Sequence, residues 1–358
     1  MTYTNKIQRK DFLEAGAFPV VSQEDAFING YWDGAEDVFR VKTPLVVFGD
    51  HTKVLKYIDF DFVLGADGVK LLPPKEFLVP KFFYYQLQTA QLDSLGYARH
   101  YKLLKELEIK YPDRTEQDRI VAILDEAFDG IATAKANAEK NLQNARALFE
   151  SHLQSVFTER GEGWVDRTLD KVCIVERGSS PRPIKHYFTT AADGVNWIKI
   201  GDTEEGGKYV YSTAQKITPE GAKQSRYVKE GDFILTNSMS LGRPYIMKTD
   251  GYIHDGWFVL RLGEGIDSEF FYYLLSSSYV QRQFHTLAAG AVVKNISGDL
   301  VKKAVLPIPP LAQQHGLAER FVEFSDETQH LESLYQQKLT ALDNLKKSLL
   351  HHAFSGQL

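Results

Sequence analysis

Two short stretches contain residue types used in phosphate chemistry, but neither forms a complete catalytic or binding pattern. "GDTEEGGKY", Gly201–Tyr209, resembles a phosphate-binding loop. It has one residue too many between its first glycine and Lys208, and its two glutamates would repel phosphate. "ELEIKYPD" contains Glu108 and Lys110 at nuclease-like spacing, without an acidic partner on an obvious strand. We interpret the first stretch as a turn and the second as a chance match.

Patterns for methyl transfer and metal binding are also incomplete. "LPPK" and "IPPL" lack the leading amide or acid and the aromatic residue with which an adenine methyltransferase holds a flipped base. His351 and His352 are adjacent, so they cannot face one metal ion from a helix. The single cysteine, Cys173, excludes a disulfide framework and a cysteine metal cluster. We therefore expect a chain with no catalytic residues, no metal and no cofactor.

The chain alternates between mixed segments and long helices. Apolar residues recur three and four apart from Thr115 to Phe157 and again from Ala312 to Phe354, which predicts two long helices with one apolar stripe each. Short apolar runs such as "PLVVFG", "NWIKIG", "DFILTN" and "WFVLRL" are bounded by turn residues and predict strands. The predicted order is mixed domain, helix, mixed domain, helix.

The second half repeats features of the first. Pro112 and Gln117 open the first long helix, and Pro309 and Gln314 open the second with the same spacing. "KFFYYQLQ" and "EFFYYLLS" predict one further amphipathic helix in each half. A long helix with a single apolar stripe needs a partner surface. Each could pack on its own domain, but we favour packing of the two on each other, around a pseudo-twofold axis.

Composition sets limits on the class of protein. With 358 residues, 43% of them hydrophobic, the chain can form two or three domains. Its net charge is −5, with the acidic excess in the helical segments, so each mixed segment can still carry a local basic face. No apolar stretch approaches the roughly 18 residues of a membrane span, and "MTYTNKIQRKDF" has no signal-peptide core. These features predict a cytoplasmic protein that does not bind membranes.

Several motifs in combination carry a resemblance to a known family. They are the duplicated long helices, the final "LLHHAFSGQL", and "WIKIGD" (Trp197–Asp202), "VKEGDFILTNSMSLGRPYI" (Val228–Ile246) and "LPIPPLAQQ" (Leu306–Gln314). Together they resemble the specificity subunit of type I restriction-modification systems over essentially the whole chain. The resemblance implies an α+β fold, in which two mixed α/β target recognition domains are separated by two long helices packed as an antiparallel coiled coil.

The same resemblance implies domain boundaries and a function. The expected parts are recognition domain 1 (1–111), spacer helix 1 (112–160), recognition domain 2 (161–308) and spacer helix 2 (309–358). In that family each recognition domain reads one half of a gapped double-stranded DNA site. The helices set the spacing and dock two methyltransferase subunits, and motor-nuclease subunits join the complex. The specificity subunit itself is not an enzyme, in agreement with the incomplete catalytic patterns.

One departure from the family pattern leaves an alternative open. Residues 163–195 precede "NWIKIG" in the second half, whereas only residues 1–17 precede the corresponding "FPVVSQ" in the first. The first recognition domain therefore looks shortened. The alternative function is a structural adaptor or decoy subunit that docks methyltransferases through its helices without reading DNA.

Candidate DNA contacts follow from the resemblance, because base edges are read by polar and cationic side chains on loops that a rigid sheet holds in the major groove. In the second domain the candidates are Arg177, Ser179, Ser180, Arg182, Lys185, Tyr187, Asn237, Ser238, Ser240, Arg243, Lys294 and Asn295. In the first domain they are Gln23, Tyr31, His51, Thr52, Lys53, Lys56, Tyr97, Arg99, His100 and Lys102. The cluster "GYARHYK" interleaves cations with aromatic residues, which makes it the best single basic patch.

Overall fold

The apolar runs and the two long helices are divided between two units of the chain. The structure, a computed structural model, describes residues 3–66, 68–90, 92–93, 96, 98–204, 206–237, 241–288 and 296–358. The first unit comprises Met1–Lys140 and Gln336–Leu358, and the second comprises Asn141–Tyr335. Among the described residues, no helix is long and apolar enough to cross a membrane.

The first unit contains two small sheets. Its strands are β1 (Lys6–Ile7), β2 (Phe18–Val21), β3 (Gly30–Trp32), β4 (Val38–Phe39), β5 (Leu45–Gly49), β6 (Leu55–Ile58), β7 (Phe62–Gly65) and β8 (Val69–Leu72). Its first helices are α1 (Pro80–Gln88) and α2 (Tyr101–Lys105), followed by the long α3 (Arg114–Glu159), which continues into the second unit. One sheet has the order β1-β7-β2-β3 with β4 also on β7, and the other has the order β6-β5-β8.

The second unit is larger and contains three sheets. Its strands are β9 (Val165–Thr168), β10 (Cys173–Arg177), β11 (Phe188–Thr189), β12 (Val195–Ile198), β13 (Tyr209–Val210), β14 (Gln215–Ile217), β15 (Arg226–Val228), β16 (Phe233–Thr236), β17 (Pro244–Met247), β18 (Gly251–Ile253), β19 (Trp257–Leu262) and β20 (Val305–Ile308). Its helices are α4 (Leu169–Val172), α5 (Pro219–Ala222), α6 (Ser268–Ser276), α7 (Ser278–Ala288), α8 (Gly298–Val301) and α9 (Leu311–Phe354), the last of which ends in the first unit.

The sheets of the second unit repeat the pattern of the first with added strands. The orders are β11-β14-β12-β18-β15, β10-β19-β16-β17-β13 and β20-β9. The parallel pair β12–β18 corresponds to the parallel pair β2–β7. Strand β19 lies between β10 and β16, whereas β8, its counterpart in the first unit, pairs with β5 and with no second strand among the described residues. Among the described residues, β10 is therefore one of the strands of the second unit that have no counterpart in the first.

The two long helices pack on each other, as predicted. In the first unit Ile120 and Leu124 of α3 share a core with Leu350 and Ala353 of α9. The Lys135 ammonium lies 2.8 Å from the Asp343 carboxylate.

In the second unit the same helices meet again further along. The ring of Phe149 contacts that of Phe324, and the ring of Phe157 contacts that of Phe321. The Arg146 guanidinium lies 2.8 Å from the Glu332 carboxylate. Within each unit, positions that rise along α3 meet positions that fall along α9, so the helices are antiparallel.

Each helix also packs on its own unit. The ring of Tyr85 in α1 contacts that of Phe128 in α3, and the ring of Tyr273 in α6 contacts that of Phe321 in α9. The two packing alternatives inferred from the apolar stripes are therefore both present. Ring pairs of this kind contribute about 0.5–1.5 kcal/mol beyond the burial of their area.

The repeated glutamine forms the same set of hydrogen bonds in both units. The side chain of Gln117 is 1% exposed. Its Nε2 donates to the carbonyls of Pro112 (2.9 Å) and Phe77 (3.0 Å), and its Oε1 accepts from the Val79 backbone N–H at 2.8 Å. Val79 is the residue that caps the N-terminus of α1. Gln117 therefore ties the start of α3 to the start of α1.

Gln314 repeats this arrangement at the start of α9, where it too is 1% exposed. Its Nε2 donates to the carbonyls of Pro309 (2.9 Å) and Gly265 (3.1 Å), and its Oε1 accepts from the Asp267 backbone N–H at 2.8 Å. Asp267 caps the N-terminus of α6. The repeat seen in the sequence therefore encodes a joint between each long helix and the unit beside its start.

We predict that Gln314→Leu destabilises the second unit. The substitution leaves the Asp267 N–H and two carbonyls without their partner, and each buried polar group left unpaired costs about 1–3 kcal/mol. Gln143→Leu, at an exposed position of α3, is the matched control and should change stability little. Urea unfolding followed by tryptophan fluorescence measures the difference. Equal midpoints for the two variants would contradict the structural role of Gln314.

Candidate nucleic-acid interface

Several loops of the second unit meet at one end of its two larger sheets. The last residues of β10 and β16 lie beside the first residues of β19, with Arg177 opposite Phe258 and Thr236 opposite Trp257. The loop between β18 and β19, residues 254–256, lies at the same end. Sheet ends of this kind hold polar loop residues in fixed positions, which is what recognition of a DNA groove requires.

Asp255 holds three of these loops together. Its Oδ1 accepts from the Ser180 hydroxyl at 2.5 Å, and its Oδ2 lies 3.5 Å from the Arg182 guanidinium. Its backbone carbonyl accepts from Asn237 Nδ2 (2.6 Å) and from Arg177 Nε (3.3 Å). The hydrogen bond from Ser180 is the main cause that keeps the pKa of Asp255 below its usual range. Asp255 is therefore a carboxylate at neutral pH and can orient both donors.

A second set of hydrogen bonds secures the neighbouring loop. The Ser179 hydroxyl donates to the Gln224 carbonyl at 2.8 Å, and the Ser225 hydroxyl donates to the carbonyls of Ser179 (2.6 Å) and Ile253 (3.0 Å). Gln224 Nε2 donates to the Tyr187 hydroxyl at 3.1 Å. Ser179 and Tyr187 thus brace the loop, as Ser180 does, and the predicted contacts of this stretch that are exposed to solvent are Arg177, Arg182 and Lys185.

Arg243 lies on the next loop at the same end. Its backbone N–H donates to Thr236 Oγ1 at 2.9 Å. Its half-buried side chain lines a cavity of about 380 Å³ with Tyr272, Gln281 and His285. Five predicted contacts, Tyr97, Ser238, Ser240, Lys294 and Asn295, lie outside the described residues.

In the first unit Asp50 has a role similar to that of Asp255. It is 2% exposed, and its carbonyl accepts from the His100 N–H at 2.8 Å and lies 3.0 Å from His100 Nδ1. Its Oδ1 accepts from the Tyr101 N–H at 2.7 Å. Nearby, Gln23 Oε1 accepts from the His51 N–H at 3.2 Å, and the Gln23 carbonyl accepts from the Thr52 hydroxyl at 2.6 Å.

Three predicted contacts are buried, and we assign them to support of the loops. Lys56 is 3% exposed, and its Nζ donates to the carbonyl of Ala26 (2.5 Å) and to Asn29 Oδ1 (3.1 Å). Burial lowers the pKa of Lys56 to about 8. His100 and Asn237 are each 1% exposed and use the polar groups described above within their own units. A side chain enclosed in this way has no surface to offer to DNA.

The other first-unit candidates are either exposed to solvent or half-buried. Thr52, Arg99 and Lys102 are exposed. Gln23, Tyr31, His51 and Lys53 are half-buried, and Lys53 Nζ donates to the Leu92 carbonyl at 3.3 Å. The exposed cations of this unit that remain as candidates are therefore Arg99 and Lys102.

The two organising acids are not among the residues predicted from the sequence. Asp50 and Asp255 repel phosphate, so their charge excludes them from a search for DNA contacts. The available signal was position, because each follows the end of a buried strand by one or two residues. In the described part of the chain, no group of three or more metal-ligating side chains comes together.

Comparisons with known proteins agree on one family. The family model for the type I restriction modification DNA specificity domain matches residues 161–341. The chain is 23% identical to the specificity subunit of the type I restriction enzyme EcoR124I/EcoR124II from Escherichia coli, over 89% of this chain and 82% of that protein. It is also 23% identical to the MjaVIII specificity subunit of Methanocaldococcus jannaschii, over 83% and 74% of the two chains.

Solved structures support the same fold. A chain from a study of complex assembly and conformational transition of the type I R-M system aligns with a TM-score of 0.78 at 18% identity, covering 95% of this chain and 92% of that one. The HsdS subunit from Thermoanaerobacter tengcongensis aligns with a TM-score of 0.56 at 18% identity, covering 88% and 81%. The predicted α+β fold with its long packed helices is confirmed.

We predict that Asp255→Ala loosens the end of the second unit at which these loops meet, without unfolding the sheets. Residues 177–183 and 254–256 should exchange their amide hydrogens faster in deuterium-exchange mass spectrometry, because Ser180 and Arg182 lose their acceptor. Asp193→Ala, in an exposed loop, is the control. Unchanged exchange in both loops would remove Asp255 from its bracing role.

The same contact predicts a pH dependence of the wild-type loop. The pKa of Asp255 is lower in the folded chain than the value of about 3.9 expected for an unfolded one. Its stabilising effect is therefore complete above about pH 5 and is lost as the pH falls through the lowered pKa. The Asp255→Ala variant should not show this loss of stability at low pH.

Proposed function

Because this chain belongs to the family of type I restriction-modification DNA specificity proteins, we propose that each of its two units reads one half of a gapped DNA site. The resemblance inferred from the motifs is confirmed by the family match. The chain is a non-catalytic DNA-recognition subunit, and the adaptor alternative is not favoured. Which residues touch bases, and with what partners the chain assembles, are parts of the proposal.

One observation supports the proposed contacts most directly: the exposed cations that share the Asp255-braced end of the second unit. Arg177 ends β10 and Arg182 lies in the loop that follows, which Ser179 and Ser180 fix to Gln224 and Asp255 in neighbouring loops. A guanidinium held in this way can donate two hydrogen bonds to the O6 and N7 atoms of guanine, and a good pair of this type discriminates by about 1–3 kcal/mol. Asp255 keeps Arg182 oriented before DNA arrives, which lowers the entropy lost on binding.

Assembly follows from the same family membership. DNA and methyltransferase subunits are the partners of a type I specificity subunit. We propose two methyltransferase copies, one for each repeated helix start, and the addition of motor-nuclease subunits. Since the substrate is cellular DNA, we also propose that the complex works in the cytoplasm.

The first test is the sequence that the complex methylates. Arg182→Ala and Arg243→Ala should relax or abolish recognition of the half-site that the second unit reads, and leave the other half-site unchanged, because each removes a donor from one unit only. Lys229→Ala is the matched control. Lys229 is an exposed cation that follows the last residue of β15, whereas the loops lie at the other end of that strand. Sequencing of methylated adenines in a host that expresses the complex gives both half-sites.

Two outcomes would count against the assignment. Equal weakening at both half-sites would make the two arginines general phosphate contacts. A methylated motif unchanged in both variants would remove them from base recognition.

The second test concerns the length of the helices. Four residues are inserted into α3 after Lys140, and four into α9 after Gln337. In sequence, both insertion points lie midway between the Lys135–Asp343 and Arg146–Glu332 ion pairs. Each insertion adds about 6 Å and turns the helix by only about 40°. Since base pairs are about 3.4 Å apart, the recognised gap should lengthen by one to two base pairs.

Matched insertion is needed because α3 and α9 are packed together in each unit. Four residues added to α3 alone would shift its apolar stripe against α9. Two residues added to both helices would turn each by about 200° and should prevent assembly. An active four-residue variant with an unchanged gap would show that the helices do not set the spacing.

A further inference from the structure

The solvent-exposed face of helix α7 carries only neutral and basic side chains, and it lies beside the loops that we propose read DNA. Its sequence, SYVQRQFHTLA, contains no acidic residue. Arg282, His285 and Thr286 are exposed, while Val280 and Phe284 are completely buried. The helix therefore has one side in the core of the second unit and an opposite side with only neutral or positive groups.

Two glutamines fix the orientation of α7. Gln281 Nε2 donates to the Gly242 carbonyl and to the Leu275 carbonyl, each at 2.7 Å. Gln283 Nε2 donates to the Val305 carbonyl, and its Oε1 accepts from the Val305 N–H, each at 2.9 Å. The helix is thus joined to the loop that contains Arg243 on one side and to β20 on the other.

A groove of about 410 Å³ runs along the β20 side of α7. It is lined by Tyr279, Arg282, Gln283, Thr286, Leu287 and Lys303. On the opposite side lies the cavity lined by Arg243, Gln281 and His285. Cationic side chains therefore flank the helix on both sides.

The charges in this groove are not balanced within the unit. Among the described residues, no carboxylate lies within 4.0 Å of Arg282 or Lys303. Two acids of the same unit lie beside other cations, with Asp166 3.0 Å from Arg160 and Asp299 4.0 Å from Lys302. The guanidinium of Arg160 also lies over the ring of Tyr279 at 5.9 Å. Free cations beside a hydroxyl and a rigid helix suit an anionic oxygen ligand.

We propose that α7 lies along the phosphate backbone of double-stranded DNA, with Arg282 and Lys303 contacting phosphates and Thr286 donating a further hydrogen bond. The inference rests on the proposed function, since the groove adjoins the Arg243 loop through the Gln281–Gly242 bond. Contacts of this kind fix the position of a protein on DNA but carry no sequence information. They would place the neighbouring loops at base edges.

The test measures DNA binding by the assembled complex at several salt concentrations. Two unmethylated duplexes of equal length are used. One contains the sequence that the complex recognises, and the other does not. In the Arg282→Ala/Lys303→Ala double variant, affinity for both duplexes should fall by roughly tenfold per lost contact at 0.1 M salt. The slope of log K against log salt should become shallower by about 2. The methylated sequence should stay the same.

Matched variants separate charge from shape. Arg282→Lys/Lys303→Arg should keep the wild-type slope, and Lys229→Ala should behave like wild type. If the alanine double variant keeps the wild-type slope of log K against log salt and still prefers its site, the proposed phosphate contacts are wrong, while the proposed function stands. Loss of affinity for the specific duplex only, with an altered methylated motif, would instead make α7 a base-reading element. If the wild-type complex does not prefer its site, the proposed function fails, and this inference fails with it.

Discussion

The structure depends on covering one apolar stripe along each of two very long helices. A helix of 46 or 44 residues with a single apolar face is poorly stable in water unless that face is buried. In both units the stripe is shared between the partner helix and the adjoining domain, as Phe321 illustrates by contacting both Phe157 and Tyr273. Packing on two surfaces at once couples the helices to the sheets, and the buried glutamines then set where each helix begins.

The proposed DNA surface follows a different rule, in which buried or half-buried acids arrange the loops. Asp50 and Asp255 carry the charge that DNA repels, yet each accepts hydrogen bonds from the segments that bear the candidate contacts. Through these hydrogen bonds each acid holds together segments that carry candidate contacts within its own unit. Cations further out, such as Arg177 and Arg182, remain at the surface. The acids are supports and the arginines are the proposed readers.

Much of this organisation could be predicted from sequence, because it depends on regular local patterns. Apolar spacing maintained over some forty residues predicted α3 and α9, and the repeated Pro-to-Gln spacing predicted that both helices start in the same way. The pairing of β9 with β20 joins residues more than 130 positions apart, and no local pattern encodes it. Lys56 shows a similar limit, because it was predicted to lie in a DNA-contacting loop but lies in strand β6, where the folded chain encloses it. Asp255 was not predicted because a negative charge, considered by itself, is unfavourable next to a DNA-binding surface.

The glutamine joint has a consequence for how such a protein can change over generations. Gln117 and Gln314 bind only main-chain groups, and the residues that supply those groups differ between units, Phe77 and Val79 in one and Gly265 and Asp267 in the other. Every residue supplies a main-chain carbonyl, and every residue except proline supplies a main-chain N–H. A recognition unit can therefore accumulate substitutions, or be replaced by an unrelated sequence of the same backbone geometry, and still attach to the same helix. The attachment is inherited while the reading surface is free to diversify.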